Sequence, residues 1–195
     1  MTKDDLMPFV EYERDRPAFR ERIIALKRRR RIAVGDRVSL VFENRDTMQF
    51  QIQEMIRAER IFDPHKIQDE LEVYNALLPG DGELSATLMI EITDKARIQV
   101  ELDRFQGVDR GRTLSLRAGS HQVFAEFEGG RSKEDKISAV HFVRVRPDAG
   151  FLEALKQPQS ALSIVLEHGS YRAAVPVPEA LREEWLADLG LGVSA

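Results

Sequence analysis

The chain has 195 residues, 43% of them hydrophobic and 32% charged, which is enough apolar material for a buried core in a globular fold. Its 29 basic and 33 acidic side chains leave a net charge of −4, unlike the basic footprint of a whole-surface nucleic-acid binder. Cysteine is absent, so disulfides, thiolate nucleophiles, cysteine zinc sites and ordinary iron–sulfur ligation are removed from this chain's own chemistry.

No apolar run reaches the ~18 residues of a membrane span. The opening MTKDDLMPFVEYERDRP is acidic and polar where a secretory signal has a basic start and an apolar core, so the expected location is the cytoplasm. Thr2 and Asp5 have the spacing of an N-cap and its acidic third residue, which predicts a short helix near Asp4. Pro17 suits the first turn of a second helix carrying Phe19, Ile23 and Leu26 on one face. That helix ends in Lys27, Arg28, Arg29, Arg30 and Arg31, cations placed where the helix dipole favours them. Residues 32–36 are expected to turn the chain into a strand over 37–42, with Val38 and Leu40 alternating.

The stretch 41–61 reads as a strand that ends in a turn and feeds a helix over 47–61. Projected at ~100° per residue, Met48, Ile52, Met55 and Ile56 share a narrow arc with Glu59 in its middle. Gln51 and Glu54 fall inside the apolar extension of that arc, leaving Gln49, Gln53, Arg57 and Arg60 as the polar face. Charge is not buried unless something pairs with it or uses it, so Gln51, Glu54 and Glu59 become candidate site residues.

Asp63-Pro64 caps a helix with Ile67, Leu71, Tyr74 and Leu78 on one side, stopped by Pro79-Gly80. Residues 84–92 alternate as a strand, and Thr93-Asp94 opens a helix in which Ile98, Leu102 and Phe105 share a face before Gly107. Strands are expected over 113–117, 121–127 and 136–146, the last two joined by a polar loop over 128–135. A short helix from Pro147-Asp148, a last strand over 161–166, a tight turn at His168-Gly169-Ser170-Tyr171 and a closing helix from Pro178 complete the order. Short links between successive strands predict an α+β fold: a mainly antiparallel sheet of about five to six strands with N-terminal, inserted and C-terminal helices packed on it. One domain is expected, with N-terminal helices over 1–30, an α+β core over 31–167 and a C-terminal turn and helix over 168–195.

His141 lies on the same side of its strand as Ile137, Ala139, Val143 and Val145, where an imidazole is either a core residue bonded to a neighbour or a ligand or base. With Glu54 and Glu59 it would form a carboxylate–imidazole set suited to iron, manganese or zinc, though no recognised metal spacing is present. The competing reading pairs the buried carboxylates with Arg22, Arg57 or Arg60. The run from Lys27 to Arg31 is a solvated helix end, a phosphate or nucleic-acid contact, or, with neighbouring Arg37, a docking surface for an acidic protein partner. Gly-rich phosphate loops and a Gly-x-Ser-x-Gly elbow are missing; Gly80-Asp81-Gly82 lacks the Lys-Ser/Thr of a P-loop.

Several runs carry a family resemblance. They are Asp4-Asp5-Leu6 with Glu11-Tyr12, Arg16-Pro17-x-Phe19-Arg20, Arg30-Arg31-Ile32-x-x-Gly35, Phe42-Glu43-Asn44-Arg45 and Phe50-Gln51-Ile52-Gln53-Glu54-Met55-x-Arg57-x-Glu59-Arg60. Glu70-Leu71-x-x-Tyr74-Asn75, Ser85-Ala86-Thr87, Ser138-Ala139-Val140-His141-Phe142 and Pro176-Val177-Pro178 complete them. On these the chain resembles, almost end to end, a bacterial family of unknown function catalogued as domain of unknown function 3501. The resemblance implies no established activity. It implies genomic company with a rubrerythrin-like protein and an iron–sulfur protein like the heterodisulfide-reductase subunit. The expected function is therefore an accessory or interaction protein of an iron-dependent redox or oxidative-stress electron-transfer module. The alternatives are a metal-binding protein or metal-dependent enzyme using Glu54, Glu59 and His141, with Gln51 beside them in the candidate binding set, and phosphate or nucleic-acid binding through the basic run.

Overall fold

The computed structural model describes residues 1–129 and 137–192. The chain opens with a 3-10 turn, Lys3–Asp5, whose Asp5 carboxylate accepts from the Thr2 amide at 2.7 Å. Helix α1 then runs unbroken over Phe9–Arg30 with Pro17 inside it, not at its start as the sequence suggests. An interior proline forfeits a hydrogen bond and costs about 3 kcal/mol. Tyr12 and Phe19, on either side of Pro17, are both buried with their rings 6.0 Å apart, and each contributes about 1.5–3 kcal/mol. Burial of both aromatics outweighs the break, and the two expected helices merge.

Strands β1 (Arg31–Val34) and β2 (Val38–Glu43) form a hairpin around Gly35, so the segment expected to be only a turn is itself a strand. All six residues of β2 are buried. Val38, Leu40 and Phe42 enter the core, and helix α1 covers the opposite face bearing Ser39, Val41 and Glu43. Asn44 ends the strand and caps α2 (Arg45–Glu59): its side chain accepts from the Thr47 amide at 3.0 Å, and Thr47 Oγ1 accepts from the Asn44 amide at 2.9 Å. Asp63 caps α3 (Pro64–Asn75), accepting from the His65 amide at 2.8 Å.

Strand β3 (Leu84–Ile90) buries Leu84, Ala86, Leu88 and Ile90, the face its alternation predicts. The helix expected after Thr93-Asp94 is reduced to a 3-10 turn, Lys95–Arg97, followed by α4 (Ile98–Asp103). Strands β4 (Leu114–Ala118), β5 (His121–Phe124), β6 (Glu126–Phe127) and β7 (Val140–Val145) lead to α5 (Ala149–Lys156), β8 (Leu162–His168), β9 (Tyr171–Pro176) and α6 (Glu179–Asp188). The expected loop over 128–135 and the start of the expected strand over 136–146 fall partly on residues 130–136, outside the described residues.

The fold is α+β, with a five-stranded main sheet ordered β1-β2-β3-β7-β6. A second, four-stranded sheet ordered β5-β4-β8-β9 stands apart from it in place of the single sheet expected, and β9 has no counterpart among the expected strands. Every pairing described is antiparallel. The expected strand over 121–127 divides at Ala125, where the chain leaves the second sheet and joins the first. The inner faces of both sheets share one core, which Trp185 of α6 and Phe151 and Leu155 of α5 also enter. At the opposite seam β1 and β9 lie side by side. There Tyr171 donates its hydroxyl to the Val34 carbonyl at 2.6 Å and accepts from the Arg37 amide at 3.3 Å.

Candidate functional site

The four residues singled out as a binding set are not brought together. His141 is fully buried and pairs in register with Leu88, so it points between the two sheets. Its Nε2 lies 2.8 Å from the Ser138 carbonyl, and its ring meets Phe127 edge-on at 5.9 Å. Glu54 belongs to the helical layer on the other side of the main sheet, joining α2 to α1. Its carboxylate takes a two-pronged contact from Arg16, both at 2.7 Å, and accepts the Tyr12 hydroxyl at 2.7 Å. The Arg16 hydrogen bonds hold the Glu54 carboxyl below its usual range, and burial with the Glu54 contact pushes the Tyr12 phenol up. Of the arginines proposed from sequence, Arg22 lies over the Phe19 ring and Arg57 pairs with Glu13 at 2.7 Å.

Glu59 corrects the helical projection: it is exposed, and Gln51 is only half-buried. Gln53, assigned to the polar face, is 2% exposed. The reason is the N-terminal segment, which lies across that face. Met7 donates its amide to Gln53 Oε1 at 2.6 Å, and Gln49 donates to the Asp5 carbonyl. Arg60 then ends the helix in a left-handed conformation, φ 52°, so Glu59 sits in an exposed last turn. The deeply buried carboxylate of this region is instead Glu43 on β2, 2% exposed, whose Oε1 accepts from Thr87 at 2.7 Å. Among the described residues no group of three or more His, Asp or Glu side chains is arranged to hold a metal ion.

The basic run is largely consumed within the fold. Arg30 is fully buried and therefore not a surface cation. It donates to the Phe42 carbonyl at 2.7 Å, to Glu184 at 2.6 Å and to Asp188. Burial raises the Asp188 carboxyl, with Arg30 pulling it back. Arg29 shares Glu184 at 2.5 Å, and Arg31 pairs with Glu91. Lys27 is half-buried and Arg28 exposed.

Two surface features were not read from the sequence. The first is an apolar groove of about 350 Å³ lined by Leu6, Met7, Phe9, Ile56, Phe62 and Ile67 among others. Phe62 is 61% exposed at its edge, stacked edge-on to Phe9 at 5.1 Å, and Val10, next in the chain, is 79% exposed. An adjoining cleft shares Ile61 and Phe62, and there Glu59, Asp63, Asp69 and Glu70 outnumber Arg60 and Lys66. The second is a cleft of about 200 Å³ at the seam of the sheets, lined by Asp36, Arg37, Glu101, Arg104, Phe105, Ser170 and Tyr171. The local signal that could have marked it is the i, i+4 and i+7 spacing of Arg97, Glu101 and Arg104 along one helix face. Arg37 arrives from a distant hairpin, which no local pattern announces.

The family model described as "Protein of unknown function (DUF3501)" matches residues 1–189. The chain belongs to that family. It is also similar to a crystal structure described as a novel protein of unknown function from Burkholderia pseudomallei K96243: 32% identity, 97% of this chain and 98% of that one covered, TM-score 0.88. No curated protein matches the chain. Among the described residues, no helix is long and apolar enough to cross a membrane.

Proposed function

We propose that this DUF3501 member is an interaction protein whose docking face is the groove between the N-terminal segment, the start of α1 and the α2–α3 junction. The observation that carries the reading is the exposure of Phe62 on the wall of a preformed apolar groove whose lining also includes Leu6, Met7, Phe9, Ile56 and Ile67. Large apolar side chains clustered at a concavity lose free energy in water unless a partner covers them. The acidic cleft continuing from the groove favours a partner segment that sets apolar side chains beside basic ones. The lack of cysteine and the company implied by the family resemblance point to a non-haem iron or iron–sulfur oxidoreductase as that partner. The dispersal of Glu54, Glu59 and His141 leaves the metal-centre reading without geometric support.

Affinity capture with the parent chain and the Phe62→Ser variant as paired baits tests this. The expected result is an iron-containing oxidoreductase recovered on the parent and reduced about tenfold or more on the variant, a loss of roughly 1.4 kcal/mol. Equal recovery on both baits, or none at low salt, would overturn the reading.

A further inference from the structure

The seam cleft brings together two guanidiniums from distant parts of the chain, Arg37 and Arg104, and its Glu101 is also reached by Arg97 from outside the lining. Glu101, with its side chain 4% exposed, is the anchor: Arg97 reaches its Oε1 at 2.6 Å and Arg104 its Oε2 at 3.0 Å. Arg37 comes from the β1–β2 turn. Its backbone is fixed on both sides, since its amide donates to Tyr171 at 3.3 Å and its carbonyl accepts from the Glu91 amide at 2.6 Å. Its guanidinium is less well served. The nearest carboxylate oxygens are Asp36 Oδ2 at 3.3 Å and Glu101 Oε2 at 4.0 Å, and neither accepts a hydrogen bond from it. Yet the side chain is only 30% exposed.

The Arg37 nitrogens are not buried without a partner, so they face the open cleft, and the planar fork of a guanidinium matches a carboxylate or phosphate. Arg104 spends one nitrogen on Glu101 and is otherwise exposed along the same cleft. Arg37 and Arg104 balance Asp36 and Glu101 in the lining, and Arg97, which pairs with Glu101 from outside it, adds a positive charge beside the cleft. Phe105 and Tyr171, their rings 5.0 Å apart, supply an apolar wall, and Ser170 is exposed at the cleft. The Tyr171 hydroxyl is committed to backbone groups and is not a ligand donor. A space of about 200 Å³ is smaller than the ~300 Å³ lower bound of drug-sized sites, so it fits a small anion.

We propose that this cleft binds a small oxyanion, a short carboxylate or inorganic phosphate, between Arg37 and Arg104, with Glu101 as the residue that positions Arg104. The site is separate from the apolar groove, and its success or failure is read independently of the docking face.

The experiment titrates the full chain with sodium propionate, sodium succinate and inorganic phosphate at constant ionic strength, with sodium chloride as reference, following backbone amide shifts of Arg37, Glu101 and Ser170 by NMR. Saturable shifts with propionate or succinate assign the carboxylate, and with phosphate the phosphate; either supports the site. Arg37→Gln and Arg104→Gln are each expected to weaken binding about tenfold or more, and Arg28→Gln, an exposed cation outside the cleft, to leave it unchanged. Arg37→Lys keeps the charge without the fork and is expected to bind more weakly than the parent, which gives a reading should Arg37→Gln prove unstable. No saturation with any of the three anions, or equal weakening in the Arg28 variant, overturns the proposal.

Discussion

The hydroxyl of Tyr171 on β9 sits against the α-carbon of Gly35 in the β1–β2 turn, so close that a β-carbon added at Gly35 would overlap it. The same β-carbon would lie 3.0 Å from Tyr171 Cζ and 3.1 Å from Ala173 Cβ, and Gly35 holds φ 79°. Gly35→Ala therefore meets both a left-handed backbone, costing about 1–2 kcal/mol, and a steric clash. Tyr171→Phe removes two backbone hydrogen bonds and is expected to cost about 1–2 kcal/mol. In urea unfolding the double variant should be less destabilised than the sum, because deleting the hydroxyl relieves part of the overlap. Additive losses would show that the two residues do not meet.

The Glu54 contacts make a pH-dependent contribution of known sign. Its folded pKa is lowered, first by the Arg16 hydrogen bonds, so its stabilisation is complete above the ordinary carboxylate range and is lost as pH falls through its own lower value. Tyr12 is raised and runs the other way: its contribution is complete below the ordinary phenol value of about 10 and is lost as pH rises beyond it. Arg16→Ala should lower stability at pH 7 by about 1–2 kcal/mol, since the pair is partly screened at 27% and 28% exposure. Thermal melts of parent and variant should converge toward acid pH; a constant gap down to the lowest pH would contradict this.

Arg30 is the costliest cation to remove. Arg30→Met leaves the carboxylates of Glu184 and Asp188 without their central partner, and breaking such a buried pair costs about 3–5 kcal/mol. Asp188, already raised by burial, should rise further without Arg30. The folded form then holds its proton more tightly than the unfolded chain, so the variant should lose stability more steeply as pH rises above the ordinary carboxylate range. A loss below about 1 kcal/mol in denaturant titration at neutral pH would show that the buried network is not structural.

Pro17 interrupts the hydrogen-bond ladder of a helix that packs along its length. Pro17→Ala restores a backbone donor, and the expected outcome is a higher melting temperature with greater far-ultraviolet helicity. A lower melting temperature would mean that α1 needs the local distortion to bring Tyr12 and Phe19 onto the same core.

Several elements were legible because their signals are local. Asn44, Asp63, Asp94 and Asp148 each accept a backbone amide at the start of the helix or turn they precede, and the alternation of β3 gives its buried face directly. In the sequence Asp63, Asp94 and Asp148 stand directly before their helical patterns, whereas the helical pattern after Asn44 starts only at Thr47, which hides Asn44 as a cap. The projection of α2 misplaced Gln53 and Glu59 because a helical wheel knows only the helix, while burial depends on which neighbour covers each face.

The sequence by itself determined the antiparallel α+β class and the exclusion of cysteine chemistry, since these follow from composition and from periodicities within a few residues. The tertiary structure alone decided that the strands divide into two sheets, that Arg30 is buried and that Arg37 and Arg104 line one cleft. Each of those outcomes rests on contacts between residues far apart in the chain, where burial and charge pairing outweigh local propensity.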